Sequence, residues 1–195
     1  MARPLKSGFD YFPFDVGFFR SLKIRATIGR FGKGGALLYI YLLALIYDEN
    51  GYYINYNDDL IDIAAADLQM RPEEIGQVIN FFCKRSLFDN KLFTTDKVLT
   101  SAGIQKRYQL MAKKRAKNNK VTVNEKFWIL DENETQSFIQ VRLISDKSKK
   151  YNGYSEKNSF NSPKNNTKKS KEKESKVNKS NENPTEKYTQ GVDYF

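Results

Sequence analysis

The chain has no histidine and a single cysteine in 195 residues. The first absence removes His-based triads, imidazole metal ligands and the commonest general acid–base side chain. The second excludes an intramolecular disulfide, and the two together exclude a Cys/His zinc site. Cys83 as a lone thiol fits a reducing compartment. No apolar leader precedes Asp10 and Pro13, so no secretory signal is expected. The longest low-polarity run is "GGALLYIYLLALIY" (Gly34–Tyr47). At about 1.5 Å per residue it falls short of a bilayer of roughly 30 Å. A cytoplasmic protein with no membrane contact is therefore expected. Carboxylate, Lys or Tyr chemistry stays formally open, but no spacing points to it, so neither catalysis nor a cofactor or metal is expected.

What is present is positive charge and aromatic mass. The net charge is +10, the pI about 9.5 and the aromatic content 14%. Such a balance favours polyanionic partners, nucleic acid first and an anionic membrane surface second. The length suits one globular domain plus a tail. Composition shifts near Ser145: residues 145–195 hold twelve Lys and seven acids around "NNTKKSKEKESKVNKSNEN". Too little apolar surface is present there to offset ordering entropy, which predicts a disordered basic tail.

Upstream, the pattern predicts a Gly-rich turn at "GRFGKGG", a buried helix over Gly34–Tyr47 and a short strand in "YYINY" (Tyr52–Tyr56). Asn57 reads as an N-cap, with Asp58 and Asp59 in the first turn of the next helix. After the tight "QMR" connection, Pro72 reads as position N1 of a helix with apolar residues at Ile75, Val78, Ile79 and Phe82. "LFDNKLFTTDKVLT" predicts a β-hairpin, and a last helix starts near Thr100 and runs through "SAGIQKRYQLMAKKRAK". The fold class that follows is α+β, mainly helical: a winged helix-turn-helix domain with an extended aromatic strap at its amino end. Its expected divisions are residues 1–120, an extension over 121–144 packed on or following the domain, and the tail over 145–195.

Between Gly103 and Lys120 stand Lys106, Arg107, Lys113, Lys114, Arg115, Lys117 and Lys120, without one acid. At 100° per residue Lys106, Lys113, Lys117 and Lys120 cluster opposite Ile104, Tyr108 and Met111. Such a stripe attracts a phosphate backbone through counterion release; a plain solvated face usually mixes signs. On the helix after Pro72, the outward residues are Gln77, Asn80, Lys84 and Arg85. Gln and Asn suit adenine edges, although Glu73 and Glu74 open the same helix, where acids also favour the dipole. "GRFGKGG" is too short for a P-loop, and Gly34 stands where Ser or Thr should follow Lys33.

The blocks "MARPLKSGFDYFPFDVGFF", "IYDENGYYI", "KRSLFDNKLF" and "VLTSAGIQKRY" resemble, in order, the amino-terminal domain of phage and prophage replication proteins related to DnaD. The resemblance spans Met1–Tyr108 and extends less closely over Asn124–Val141. It implies a winged-helix, self-associating DNA-binding module that helps load a helicase. The implied DNA face is Gln77, Asn80, Lys84 and Arg85, with a wing around Lys91 and Lys97. A second, DnaD-like domain with a Tyr-x-x-x-Ile-x-x-x-Trp element is not expected in this sequence, since Trp128 lacks that spacing.

Three functions compete on this basis. The leading one is a non-enzymatic DNA-binding accessory factor of phage replication, binding duplex DNA mainly through phosphates, with a tail that tethers a partner. The second is an adaptor that recruits a replicative helicase or loader without touching DNA. The third is a phage transcriptional regulator, which requires a palindromic site and a firm dimer. "GFDYFPFDVGFF" (Gly8–Phe19), with five Phe and one Tyr, is expected to serve core or dimer contact. Asp10 and Asp15 make it a poor place for a phosphate strand, even though its rings could stack on bases.

Overall fold

The structure is a computed structural model. It describes residues 8–117 and 120–144, the Lys117 side chain excepted. The tail expected over 145–195 lies outside the described residues.

An extended strap leads through a 3₁₀ turn, Phe18–Arg20, into α1 (Leu22–Glu49). There follow β1 (Ile54–Asn55), α2 (Asp58–Leu68), α3 (Pro72–Lys84), α4 (Asn90–Asp96), β2 (Val98–Leu99), α5 (Ala102–Ala112), β3 (Val121–Asn124) and β4 (Ile139–Arg142). β1 pairs antiparallel with β2, Ile54 opposite Leu99 and Asn55 opposite Val98. β3 and β4 form a separate parallel ladder from Val121–Ile139 to Asn124–Arg142.

The helix boundaries follow from side-chain chemistry. The Leu60 amide donates to Asn57 Oδ1 at 2.9 Å, which caps α2. Gln69 then turns left-handed and ends it. Pro72 begins α3, where a missing N–H costs nothing. One core joins α1, α2, α3 and α4: Leu38, Leu42, Ile46, Ile75, Val78, Ile79 and Phe82 have no exposed surface. A second, aromatic core gathers Tyr52, Tyr53, Tyr108, Phe127 and Trp128 under the 121–144 segment.

Four expectations are corrected. The hairpin over "LFDNKLFTTDKVLT" is instead α4 followed by β2. Asp89 acts as an N-cap, its Oδ1 accepting from the Leu92 amide at 2.8 Å. Leu92 and Phe93 are both buried, which neighbours on a strand facing one core cannot be but neighbours on a helix can. So there is no hairpin wing here; Lys91 lies on α4 and Lys97 is its left-handed C-cap residue.

"GRFGKGG" is not a turn before the helix but lies within α1. Only Gly32 leaves helical geometry, at φ 65° and ψ −163°. That region is essentially open to glycine alone. As a 28-residue element, α1 is the one helix among the described residues long and apolar enough to cross a membrane by length and composition. Its apolar side is occupied by the domain, through Leu38, Leu42 and Ile46. The strand foreseen over Tyr52–Tyr56 shrinks to Ile54–Asn55, since only this stretch faces β2. Finally, α5 stops at Ala112, and Arg115–Lys117 form a separate 3₁₀ turn.

The strap is half core and half surface. The Phe9 amide donates to Tyr47 O at 2.7 Å. Phe12 stacks on Tyr47 at 4.8 Å between centroids, and Phe18 lies parallel to Tyr39. Gly8 is needed at the first contact: a Cβ there would lie 1.6 Å from Asp48 O. Tyr11, Phe14, Val16 and Phe19 remain exposed.

Candidate nucleic-acid interface

The basic residues after Gly103 do not form one free stripe. Lys106 Nζ sits 2.5 Å from Glu134 Oε1. Arg107 approaches Asp15 of the strap at 4.0 Å. Arg115 donates to Gly8 O at 2.6 Å and lies 4.1 Å from the centre of the Phe9 ring. Three cations are thus spent on holding the strap and the 121–144 segment to α5 and the 3₁₀ turn after it. Lys113, Lys114 and Lys120 are exposed; Lys113, the C-cap residue of α5, lines one groove with Lys106, whereas Lys114 and Lys120 lie beyond the helix end.

Two glutamines, absent from the sequence reasoning, explain why. Gln105 and Gln109 are buried and lie one turn apart. Gln105 Nε2 donates to Phe127 O at 2.8 Å and to Thr100 Oγ1 at 3.1 Å, while its Oε1 accepts from the Ile129 amide at 2.9 Å. Gln109 Nε2 donates to Glu134 O, and its Oε1 accepts from the Gln136 amide at 2.6 Å. Each amide therefore pairs backbone groups of the 121–144 segment, among them the carbonyl of buried Phe127, which would otherwise be left unpaired. In the sequence these residues look like ordinary polar positions between lysines; only their i, i+4 spacing hinted at a shared partner.

The residues foreseen on α3 do come together. Gln77, Asn80 and Lys84 lie on the face opposite buried Ile75, Val78, Ile79 and Phe82. With Phe81 they line a groove of about 350 Å³, whose other side is Arg30 and Phe31 from α1. Gly32, immediately after them, turns the first segment of α1 so that these two side chains meet α3. Arg30 Cζ is 5.4 Å from the Phe31 ring centre and 5.3 Å from that of Phe81. Arg85 Cζ is 5.2 Å from Phe81. All three distances fall in the range of cation–π attraction. Lys23 braces the same corner by donating to Ser86 O at 2.8 Å.

The charge balance at this groove differs from that on α5. Arg30, Lys84 and Arg85 make no ion pair among the described residues. Glu73 and Glu74 stand in the first turn of α3. From Glu73 to Lys84 the helix rises about 16 Å, beyond a Debye length of about 8 Å at physiological salt. The acids therefore cost the basic end little.

Arg30, Phe31 and Phe81 were missed by the sequence reasoning. A signal was available: from Val16 to Tyr47 there are five basic residues, Arg20, Lys23, Arg25, Arg30 and Lys33, and no acid. Lys91 and Lys97, the expected wing contacts, are exposed but lie apart from the groove lining. No group of His, Cys, Asp or Glu suited to a metal ion occurs among the described residues.

Residues 11–104, just under half of the chain, match the family model described as Lin1244/Lin1753-like, N-terminal. A stretch of 108 residues, 55% of the chain, is 38% identical to the "Uncharacterized phage-related protein Lin1244/Lin1753" of Listeria innocua serovar 6a (strain ATCC BAA-680 / CLIP 11262). That stretch covers 35% of the relative, so the chain spans about a third of the length of the curated protein it matches. No solved structure matches. The matched region contains the groove, and its likeness is to a phage-related protein family.

Proposed function

We propose that this domain is a DNA-binding accessory module of phage replication, without catalysis of its own. The observation that carries the reading is the groove itself. Three cations with no ion-pair partner among the described residues surround two exposed amide side chains, Gln77 and Asn80, on one helix face. Phosphate contacts supply affinity through counterion release, and amides supply contacts to bases. The phage setting is supported by the family likeness; the replication role rests on the resemblance to DnaD-related proteins. α2 and α3, joined by a left-handed turn at Gln69, provide the two-helix unit of that analogy, with α4 in place of a hairpin wing.

Binding of fluorescein-labelled DNA followed by anisotropy over a salt series tests it. Each neutralised phosphate contributes about 0.9 to the slope of log K against log salt on duplex DNA, or about 0.7 on a single strand. Changing Lys84 and Arg85 to Gln should therefore flatten the slope by between one and two. An unchanged affinity and slope in that variant would remove the groove from the account.

The adaptor reading has one observation in its favour, the exposed Tyr11, Phe14, Val16, Phe19 and Leu22. A protein that binds no DNA at low salt yet co-elutes with a replicative helicase or its loader would establish it. Sharp preference for one palindromic promoter would instead indicate a transcriptional regulator.

A further inference from the structure

Gln77, Asn80 and Lys84, all exposed, line the groove from α3, Arg30 and Phe31 line it from α1, and the nearly buried Phe81 lines it with them. A helix that reads duplex DNA enters the major groove as a protruding cylinder, its base-contacting side chains leading. On this domain Arg30 and Phe31 of α1 stand beside that helix face, so it lines a groove instead of protruding alone. A concave, cation-rimmed site suits a thinner ligand, a strand whose bases are unstacked and can be turned into it.

The ring contacts show how such a site would work. Phe81 is only 9% exposed and offers no free face to a base. It instead holds the Arg30 and Arg85 guanidinium groups against its ring. A guanidinium held by its ring contact still presents N–H donors along its edge, the geometry that fits a phosphate. Phe31, partly buried at the lip, presents the remaining ring surface. Asn80 Nδ2 donates to Gly76 O at 2.9 Å within its own helix. That bond fixes the amide and leaves Oδ1 as an acceptor toward the groove ligand.

We infer that the ligand of this groove is single-stranded nucleic acid rather than duplex. Its phosphates would lie on Arg30, Lys84 and Arg85, and a base would lie on Phe31 against the Gln77 and Asn80 amides. This rests on the reading above that the groove binds nucleic acid at all.

The experiment uses the full chain, with a labelled thymidine 20-mer and a 20-base-pair duplex titrated in parallel at moderate salt. The basic residues of 145–195 raise affinity for both ligands, so the readout is the ratio. The single strand should bind about tenfold more tightly, and Phe31→Leu and Arg30→Gln should each weaken it about fivefold or more while leaving the duplex within about twofold. Circular dichroism melts of both variants separate lost binding from lost fold, and Arg30→Gln keeps the test alive if Phe31→Leu is unstable. Duplex binding as tight as single-strand binding, or variants that weaken both ligands by one factor, would overturn the inference and leave the DNA-binding reading standing. Failure of the wild-type chain to bind either ligand would remove both.

Discussion

Replacing Gln105 with Leu keeps the side-chain bulk and the helix propensity but removes every hydrogen bond its side chain makes. The Thr100 hydroxyl still donates to Tyr52 O at 2.6 Å, so its loss is small. The Phe127 carbonyl and the Ile129 amide each lose their Gln105 partner. A polar group left unpaired on burial costs about 1–3 kcal/mol, so with two such groups the variant should lose about 2–6 kcal/mol. That is a large share of a domain stability of about 5–15 kcal/mol. The loss should fall first on the 121–144 segment, since α1, α2 and α3 keep their own core. Trp128 is the chain's one tryptophan and lies in this segment, edge-on to Tyr52 at 5.6 Å. Its emission therefore reports on docking of the segment, while far-UV circular dichroism reports on the helices. In urea the wild type should show one midpoint by both probes. Gln105→Leu should show an earlier, red-shifted emission transition ahead of the helical one. Coincident curves within about 1 kcal/mol of wild type would refute the claim that these hydrogen bonds hold the segment down.

Three further predictions rest on the backbone, on titration and on the buried thiol. At Gly32 an added methyl meets no atom within 4 Å, so Gly32→Ala tests backbone strain alone. About 1–3 kcal/mol should be lost if the bend persists; if α1 straightens, Arg30 leaves Phe81. Either way DNA affinity or the urea midpoint must fall, and a variant equal to wild type in both would show that the bend positions nothing. Burial pushes the Tyr47 hydroxyl up to about 12 against the opposing charge of Arg107, and burial likewise raises Tyr52 and Tyr108. Unfolded tyrosines ionise near pH 10, so above that pH the unfolded chain has released protons that the folded one retains. Stability is then fully present below about pH 10 and is lost as pH rises toward 12. With no histidine to titrate, urea midpoints should stay level between about pH 6 and 9. A step near pH 6.5, or a gain above pH 10, would contradict this. Cys83, buried and raised to about 11, should resist alkylation at pH 8 until urea unfolds the chain.

Much of the helical frame was legible because its signals are local. Asn57, Pro72 and the 75–78–79–82 spacing each act within one turn, and nothing distant opposes them. The errors came where one signal has two meanings. Asp89 and Asn90 serve a hairpin turn as well as a helix start, and only the joint burial of Leu92 and Phe93 decides between them. Four glycines in "GRFGKGG" suggested a turn, yet the flanking apolar residues hold the helix and concentrate the departure in Gly32 alone. β3 and β4 were invisible for another reason. A parallel pair separated by fourteen residues is fixed by Gln105 and Gln109, residues far away in sequence whose partners are backbone atoms.

The candidate site shifted for a related electrostatic reason. Charge counted along a segment measures supply, not availability, because each cation can be neutralised by whatever the fold brings to it. On α5 and the 3₁₀ turn after it the long-range partners are Glu134, Asp15 and a strap carbonyl, all from segments that this stretch must hold in place. The charges that looked most like a nucleic-acid stripe are in good part the fasteners of the fold. On α1 and α3 the opposite holds: Arg30 and Arg85 are oriented by neutral rings. A ring positions a guanidinium without cancelling its charge, so the field at the groove survives folding. A stacked arginine near exposed amides is for that reason a stronger sign of an anionic partner than a longer run of lysines in sequence.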